Sequence, residues 1–110
     1  MASIRTETRH YKTVSGYSSD SNDYVIENGK KLLLEIFGGC AVLSNDIKVE
    51  IIWDATGTPE ILFVTHGVVP EQHTIRELEG NGTKKLRIKL INDSSQTETF
   101  GGHWIGLLKG

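Results

Sequence analysis

The chain has 110 residues, a formal charge of −2 and a single cysteine. This length suits one domain, and Cys40 has no partner for an internal disulfide, so the fold does not depend on an oxidising compartment. The near-neutral charge gives no electrostatic reason for nucleic acid or an anionic membrane to be the main partner.

The start, "MASIRTETRHYK", is polar and charged and offers no apolar stretch that could serve as a signal peptide. The chain is therefore expected to be soluble and cytoplasmic when synthesised. No apolar run approaches the roughly 20 residues of a membrane span. Residues 1–9 are expected as an N-terminal arm ahead of a single sandwich domain over 10–110. In this arm Ile4, Thr6 and Thr8 alternate with Arg5, Glu7 and Arg9, which is strand character with too little apolar surface to fold alone. Such a segment can add to the open sheet edge of an adjacent subunit, with Ile4, Arg5, Glu7 and Arg9 as its contacts.

From there the chain reads as strands. Val, Ile and Thr supply 28 residues and Ala only 3, a balance that favours pleated structure over helix. The expected strands lie near 9–15, 24–27, 30–38, 46–54, 60–67, 72–79, 84–92 and 101–108. Turn signals separate them: "SSDSND", "NG" at 28–29, "GG" with "LSND", "ATGTP", "VVPE", "GNG" and "NDSSQTE". The stretch "DIKVEIIWDATGTPEILFVTHG", residues 46–67, reads as a hairpin around its Gly-containing turn. Period-2 alternation places Ile47, Val49, Ile51 and Trp53 on one face and Leu86, Ile88 and Leu90 on another. With Leu34, Ile36 and Phe63 these should form the core.

About eight strands in one small domain imply an all-β fold, a two-sheet antiparallel sandwich wired as a jelly roll or Greek key. An immunoglobulin-like sandwich is the alternative wiring, but one cysteine cannot supply its Cys–Trp–Cys core.

The search for chemistry returns little. His10, His66, His73 and His103 lack the close pairing of a metal set; the nearest two, His66 and His73, are separated by Pro70. They read as structural or surface histidines, and no cofactor is expected. Cys40, in "FGGCAVL", has no basic neighbour to activate it and reads as a small core residue. No nucleophile elbow is present. Asp20, Asn22 and Asp23, with Asn92 and Asp93, offer hard oxygens that calcium could take, although the same residues serve ordinary turns. "NGT" at Asn81 and "NDS" at Asn92 match the glycosylation pattern but read as turn residues. "GNGTKK" at 80–85 runs into a strand, so it reads as a hairpin turn and not a phosphate loop. Lys85, Arg87 and Lys89 form a basic stripe suited to pair with Glu50 or Glu77, or to guard a sheet edge. Tyr17, Tyr24 and Trp104 are the aromatic residues that could make a sugar-stacking platform.

The phrasing of strands and turns from residue 24 onward, "IENGKKLLLEIFGG", "KVEIIWDATGTPEILFVTHG", "GNGTKKLRIKLIND" and "GGHWIGLL", resembles the small β-sandwich structural proteins of tailed bacteriophages. That resemblance implies a virion component (capsid decoration, collar or tail part) that is not an enzyme. Its partners would be copies of itself in a homo-oligomer and another virion structural protein. It assigns a role to no single residue. The alternative is a carbohydrate-binding module contacting a host-surface glycan through Tyr17, Tyr24 and Trp104; a small hydrolase is a third reading.

Overall fold

The computed structural model describes residues 3–40 and 42–110, without the side chains of 40 and 68–70. It contains eight strands: β1 (Ser3–Val14), β2 (Ser18–Val25), β3 (Lys31–Cys40), β4 (Ile47–Trp53), β5 (Glu60–Thr65), β6 (Val68–Glu79), β7 (Lys85–Asn92) and β8 (Glu98–Lys109). They form two four-stranded antiparallel sheets, ordered β1-β8-β3-β6 and β2-β7-β4-β5. Only the β4–β5 hairpin keeps the chain within one sheet; the other connections between described strands all cross to the opposite sheet. This is jelly-roll wiring, one of the two arrangements the strand count allows.

The hairpin at 46–67 forms as expected. Asp54 takes a positive φ of 57° at its tip, where its carboxylate accepts a bond from the Thr58 amide at 3.2 Å. Asp is one of the few side chains that tolerates this conformation, because it can bond back to the local backbone.

The core lies between the sheets. Val49, Ile51, Leu86, Ile88 and Leu90 come from the second sheet, and Leu32, Leu34, Phe100 and Trp104 from the first; all are buried. Trp104 is fully buried and meets the Tyr24 ring edge-on, with centroids 5.1 Å apart. Gly102 and Gly106 stand on either side of it along the inner face of β8. A Cβ at Gly102 would come within 2.8 Å of Val49, and one at Gly106 within 2.7 Å of the Leu33 carbonyl. The large indole is accommodated because its neighbours on that face have no side chains.

Several expectations change. "SSDSND" is not a loop but most of β2, paired with β7 along its length. A polar sequence can hold an edge strand when its carboxylates find cations, and here Asp23 bonds Arg87 at 2.6 Å. "GNGTKK" is not a hairpin turn: it carries the chain from β6 in one sheet to β7 in the other. The basic stripe of Lys85, Arg87 and Lys89 sits on β7, inside its sheet, so it guards no edge. Lys89 does lie opposite Glu50 in register, whereas Glu77 is in the other sheet.

Ile36 leaves the expected core. A register shift between Leu34 and Ile36 inserts Glu35 against β8, so Leu34 stays inside while Ile36 pairs with Ile105 on the outer face. One extra residue reverses the alternation beyond it. Residues 3–9, expected as an arm separate from the sandwich, are the first half of β1. They pair with β8 from Ser3 opposite Lys109 to Arg9 opposite His103. The segment gains its missing apolar partner surface from β8 of its own chain.

Two outcomes follow. Ile88→Ala should lower stability by about 2–5 kcal/mol, while Ile36→Ala, half-exposed, should cost clearly less; chemical denaturation midpoints compare them. A chain beginning at His10 should melt at a lower temperature than the full chain, read by circular dichroism, because β8 loses half of its partner.

Candidate functional site

The two outer faces carry different groupings. On the second sheet charged side chains pair across β2, β7 and β4, while Ile61 and Val64 of β5 are exposed beside them. Arg87 grips Asp23 with two bonds, at 2.6 and 3.0 Å, and Lys85 stands 3.7 Å from the same carboxylate. Hydrogen bonding from Arg87 holds the Asp23 carboxyl below its ordinary range, against the opposing effect of partial burial. Lys48 and Glu50 pair along β4 at 3.8 Å. Lys89, opposite Glu50 in register, makes no ion pair among the described residues.

The first sheet presents a different surface. Leu33 and Ile36 from β3, with Ile105 and Leu107 from β8, lie side by side on its outside. Ile105 is only 8% exposed although nothing from the other sheet covers it. Glu35, at the register shift, stands between two shallow depressions. One, of about 520 Å³, is lined by Glu35, His73, Thr74 and Ile75. The other, of about 310 Å³, is lined by Arg5, Glu35, Ile36, Ile105, Gly106 and Leu107. Bulges redirect side chains in this way, bringing an acid into an otherwise apolar row.

At one end of the same face is a polar group. The Tyr11 hydroxyl and Nδ1 of His103 share a hydrogen bond of 2.9 Å, and the two rings lie nearly parallel. Nε2 of His103 lies 3.5 Å from the Glu71 carboxylate, while a Cβ at Gly38 would come within 2.9 Å of the imidazole. His103 is thus 7% exposed, wedged into the space that Gly38 leaves. The cluster draws on β1, β8, β3 and β6 and braces the sheet crosswise. It brings together an imidazole, a carboxylate and the Tyr11 phenol hydroxyl.

The sequence-derived candidates fare unequally. Arg5 lines the smaller depression; Glu7 and Arg9 make a 3.9 Å pair with each other on β1, and Ile4 is 64% exposed at the edge. The proposed aromatic platform does not assemble. Trp104 is sealed in the core with Tyr24 against it, and Tyr17, 75% exposed, projects alone from the β1–β2 turn. A sugar ring cannot stack on a side chain with no accessible face.

The calcium oxygens also disperse. Asp20 turns inward to Lys12 at 3.0 Å and His10 at 3.7 Å, while Asp23 faces outward to Arg87. Alternation along β2 separates them, and each is already matched by a cation. Asn92 is fully buried, and all its polar capacity is used. Its amide nitrogen donates to the Val14 and Gln96 carbonyls, and its oxygen accepts from the Ser94 amide and hydroxyl. Asn81 is the turn residue expected, its oxygen accepting from the Thr83 and Lys84 amides.

Among the histidines, His66 is bound to the Ser44 and Ile47 carbonyls through Nδ1, and His73 is exposed at the larger depression. No group of three or more metal-ligating side chains occurs among the described residues. The side chain of Cys40 lies outside the described residues. Sequence reasoning missed Glu35 and the Tyr11–His103–Glu71 group. The only hint of the latter was the pair of small-residue runs, "FGG" and "GGHW", that leave room for an imidazole on the sheet surface.

No protein-family model and no curated protein matches the chain.

The Asp23 pair has a pH signature. Because its folded-state pKa is depressed, its stabilisation is present above the ordinary carboxyl value, about 4, and is lost as pH falls through the folded value. Asp23→Asn should cost roughly 0.2–1 kcal/mol at neutral pH, given partial exposure. It should flatten the decline in stability on acidification, measured by urea unfolding across the acid range.

Proposed function

We propose that this chain is a non-enzymatic structural part of a bacteriophage particle, acting by self-association and by binding a neighbouring virion protein. The observation that carries the reading is the pair of 12-residue strands, β1 and β6, that end the first sheet on its two sides, with no further strand beyond them among the described residues. Long unpaired edges are templates for pairing, and proteins that live as monomers shorten, cover or bulge them. β6 shifts register twice against β3 and carries Pro70, but β1 pairs with β8 without a break, and a long regular edge of this kind beside an outer face with an apolar row is suited to be covered by other chains.

The resemblance of the strand-and-turn phrasing to small phage sandwich proteins points the same way. The carbohydrate-binding reading has lost its aromatic platform, and no other group of exposed aromatic residues replaces it among those described.

Antibodies raised against the purified chain should label phage particles from its source in immunogold electron microscopy, at a repeated position on each particle. Labelling restricted to cell debris, with specific binding on a glycan array, would reject the structural reading in favour of a sugar-binding one.

A further inference from the structure

The two outer strands of the first sheet complement each other, and we infer that they meet between molecules. In this arrangement β1 of one copy pairs antiparallel with β6 of the next, so that the first sheet continues from chain to chain. The inference rests on the self-association reading above and names the edges that carry it.

Length and direction are compatible. Both strands have 12 residues, and although β6 shifts register against β3 beyond Arg76 and again beyond Gln72, its residues 76–79 form a regular run at the end that would meet the start of β1. Neighbours in the order β1-β8-β3-β6 are all antiparallel, so β1 and β6 of one copy run in opposite directions. A second copy placed alongside by a near translation therefore offers its β6 antiparallel to the first copy's β1. The inner and outer faces of the two sheets stay aligned.

Charge selects this pairing over its rivals. Strand β1 carries Arg5, Arg9 and Lys12 against Glu7, a net charge of +2. Strand β6 carries Glu71, Glu77 and Glu79 against Arg76, a net charge of −2 with His73 neutral. A two-fold contact of like edges would set +2 against +2, or −2 against −2, and like charges on facing strands repel. Only the unlike, head-to-tail contact joins opposite signs.

Side chains fit the same solution. With Arg5 opposite Glu77, Ile4 faces Leu78 across the new ladder, within residues 76–79, where β6 pairs with β3 without a register shift. Arg5 makes no ion pair among the described residues, and Glu77 has only the exposed Lys31 at 3.6 Å. Ile4 and Ile75, 64% and 85% exposed, lie on these two strands, so the contact also covers apolar surface. Pro70, which has no amide hydrogen to donate, lies outside this regular run, in the second irregular stretch of β6. A heterologous contact of this kind gives a ring when its rotation closes and a filament when it does not.

The test is charge reversal, read by sedimentation velocity over a concentration series. The full chain should assemble, less so as salt is raised. Arg5→Glu and Glu77→Arg should each weaken assembly by roughly tenfold or more, and the two together should restore it. Both side chains are exposed, so the melting temperature of each variant should stay close to that of the parent and show that folding is intact. Assembly that ignores both reversals would overturn this inference and leave the self-association reading standing on another surface. A chain that stays monomeric at every concentration would overturn both.

Discussion

Trp104 fills the gap between the two sheets, and its packing requires the rest of β8 to be built as it is. An indole on the inner face of a central strand pushes the opposing sheet away unless the adjacent positions on that face recede. Gly102 and Gly106 supply the recess, and Val49, Ile88 and Leu32 move into it. Tyr24 closes the side toward β2 by an edge-to-face contact. The arrangement has a cost, because the indole N–H is buried without an acceptor among the described residues. An unsatisfied donor of that kind costs about 1–3 kcal/mol, which the burial of the ring has to exceed. It does so because a fully enclosed aromatic side chain is among the largest single contributions to a small core.

A jelly roll has two open corners, and here each is tied by side chains running from sheet to sheet. At the β1–β2 corner Lys12 and His10 reach Asp20. At the β5–β6 corner Arg76 makes a two-pronged contact with Glu60, whose carboxyl is held below its ordinary range by those bonds. Asn92 adds a third tie, binding the end of β7 to the last residue of β1 and to the loop before β8. These contacts hold the sheets together at their margins but leave the outer backbone of β1 and β6 without a neighbouring strand. Corner stability and edge availability are therefore separate properties of the same strands.

The second sheet pairs charges internally, through Asp23 with Arg87 and Lys85 and through Glu50 with Lys48, with Ile61 and Val64 exposed beside them on β5. A partner that covered this face would have to desolvate pairs that gain little in return. The first sheet instead offers an apolar row with an acid, Glu35, raised out of it by the bulge. Covering such an apolar row is favourable because it removes apolar area from water, and the charges on β1 and β6 at the margins steer and orient an approaching chain.

The sequence alone determined the class of the fold and most of its core. Alternation in "IKVEIIW" and "KLRIKL" is a local property of each strand, so Ile47, Val49, Ile51, Trp53, Leu86, Ile88 and Leu90 could be assigned before any partner was known; all are buried. Strand count and turn spacing likewise limited the wiring to a sandwich. Which strands are neighbours was decided only by the tertiary structure, and the missed features depend on that. β2 is a strand because Arg87 lies beside Asp23, residues 3–9 join the sandwich because β8 accepts them, and Ile36 faces outward because Glu35 is extra relative to β8 alone. The Tyr11–His103–Glu71 group has the same character, since its members lie far apart in the chain and meet only on the assembled sheet, His103 reaching Tyr11 on the adjacent β1 and Glu71 across β3 on β6. Periodicity is written into each segment, but register and edge position are relations between segments, and no segment carries them by itself.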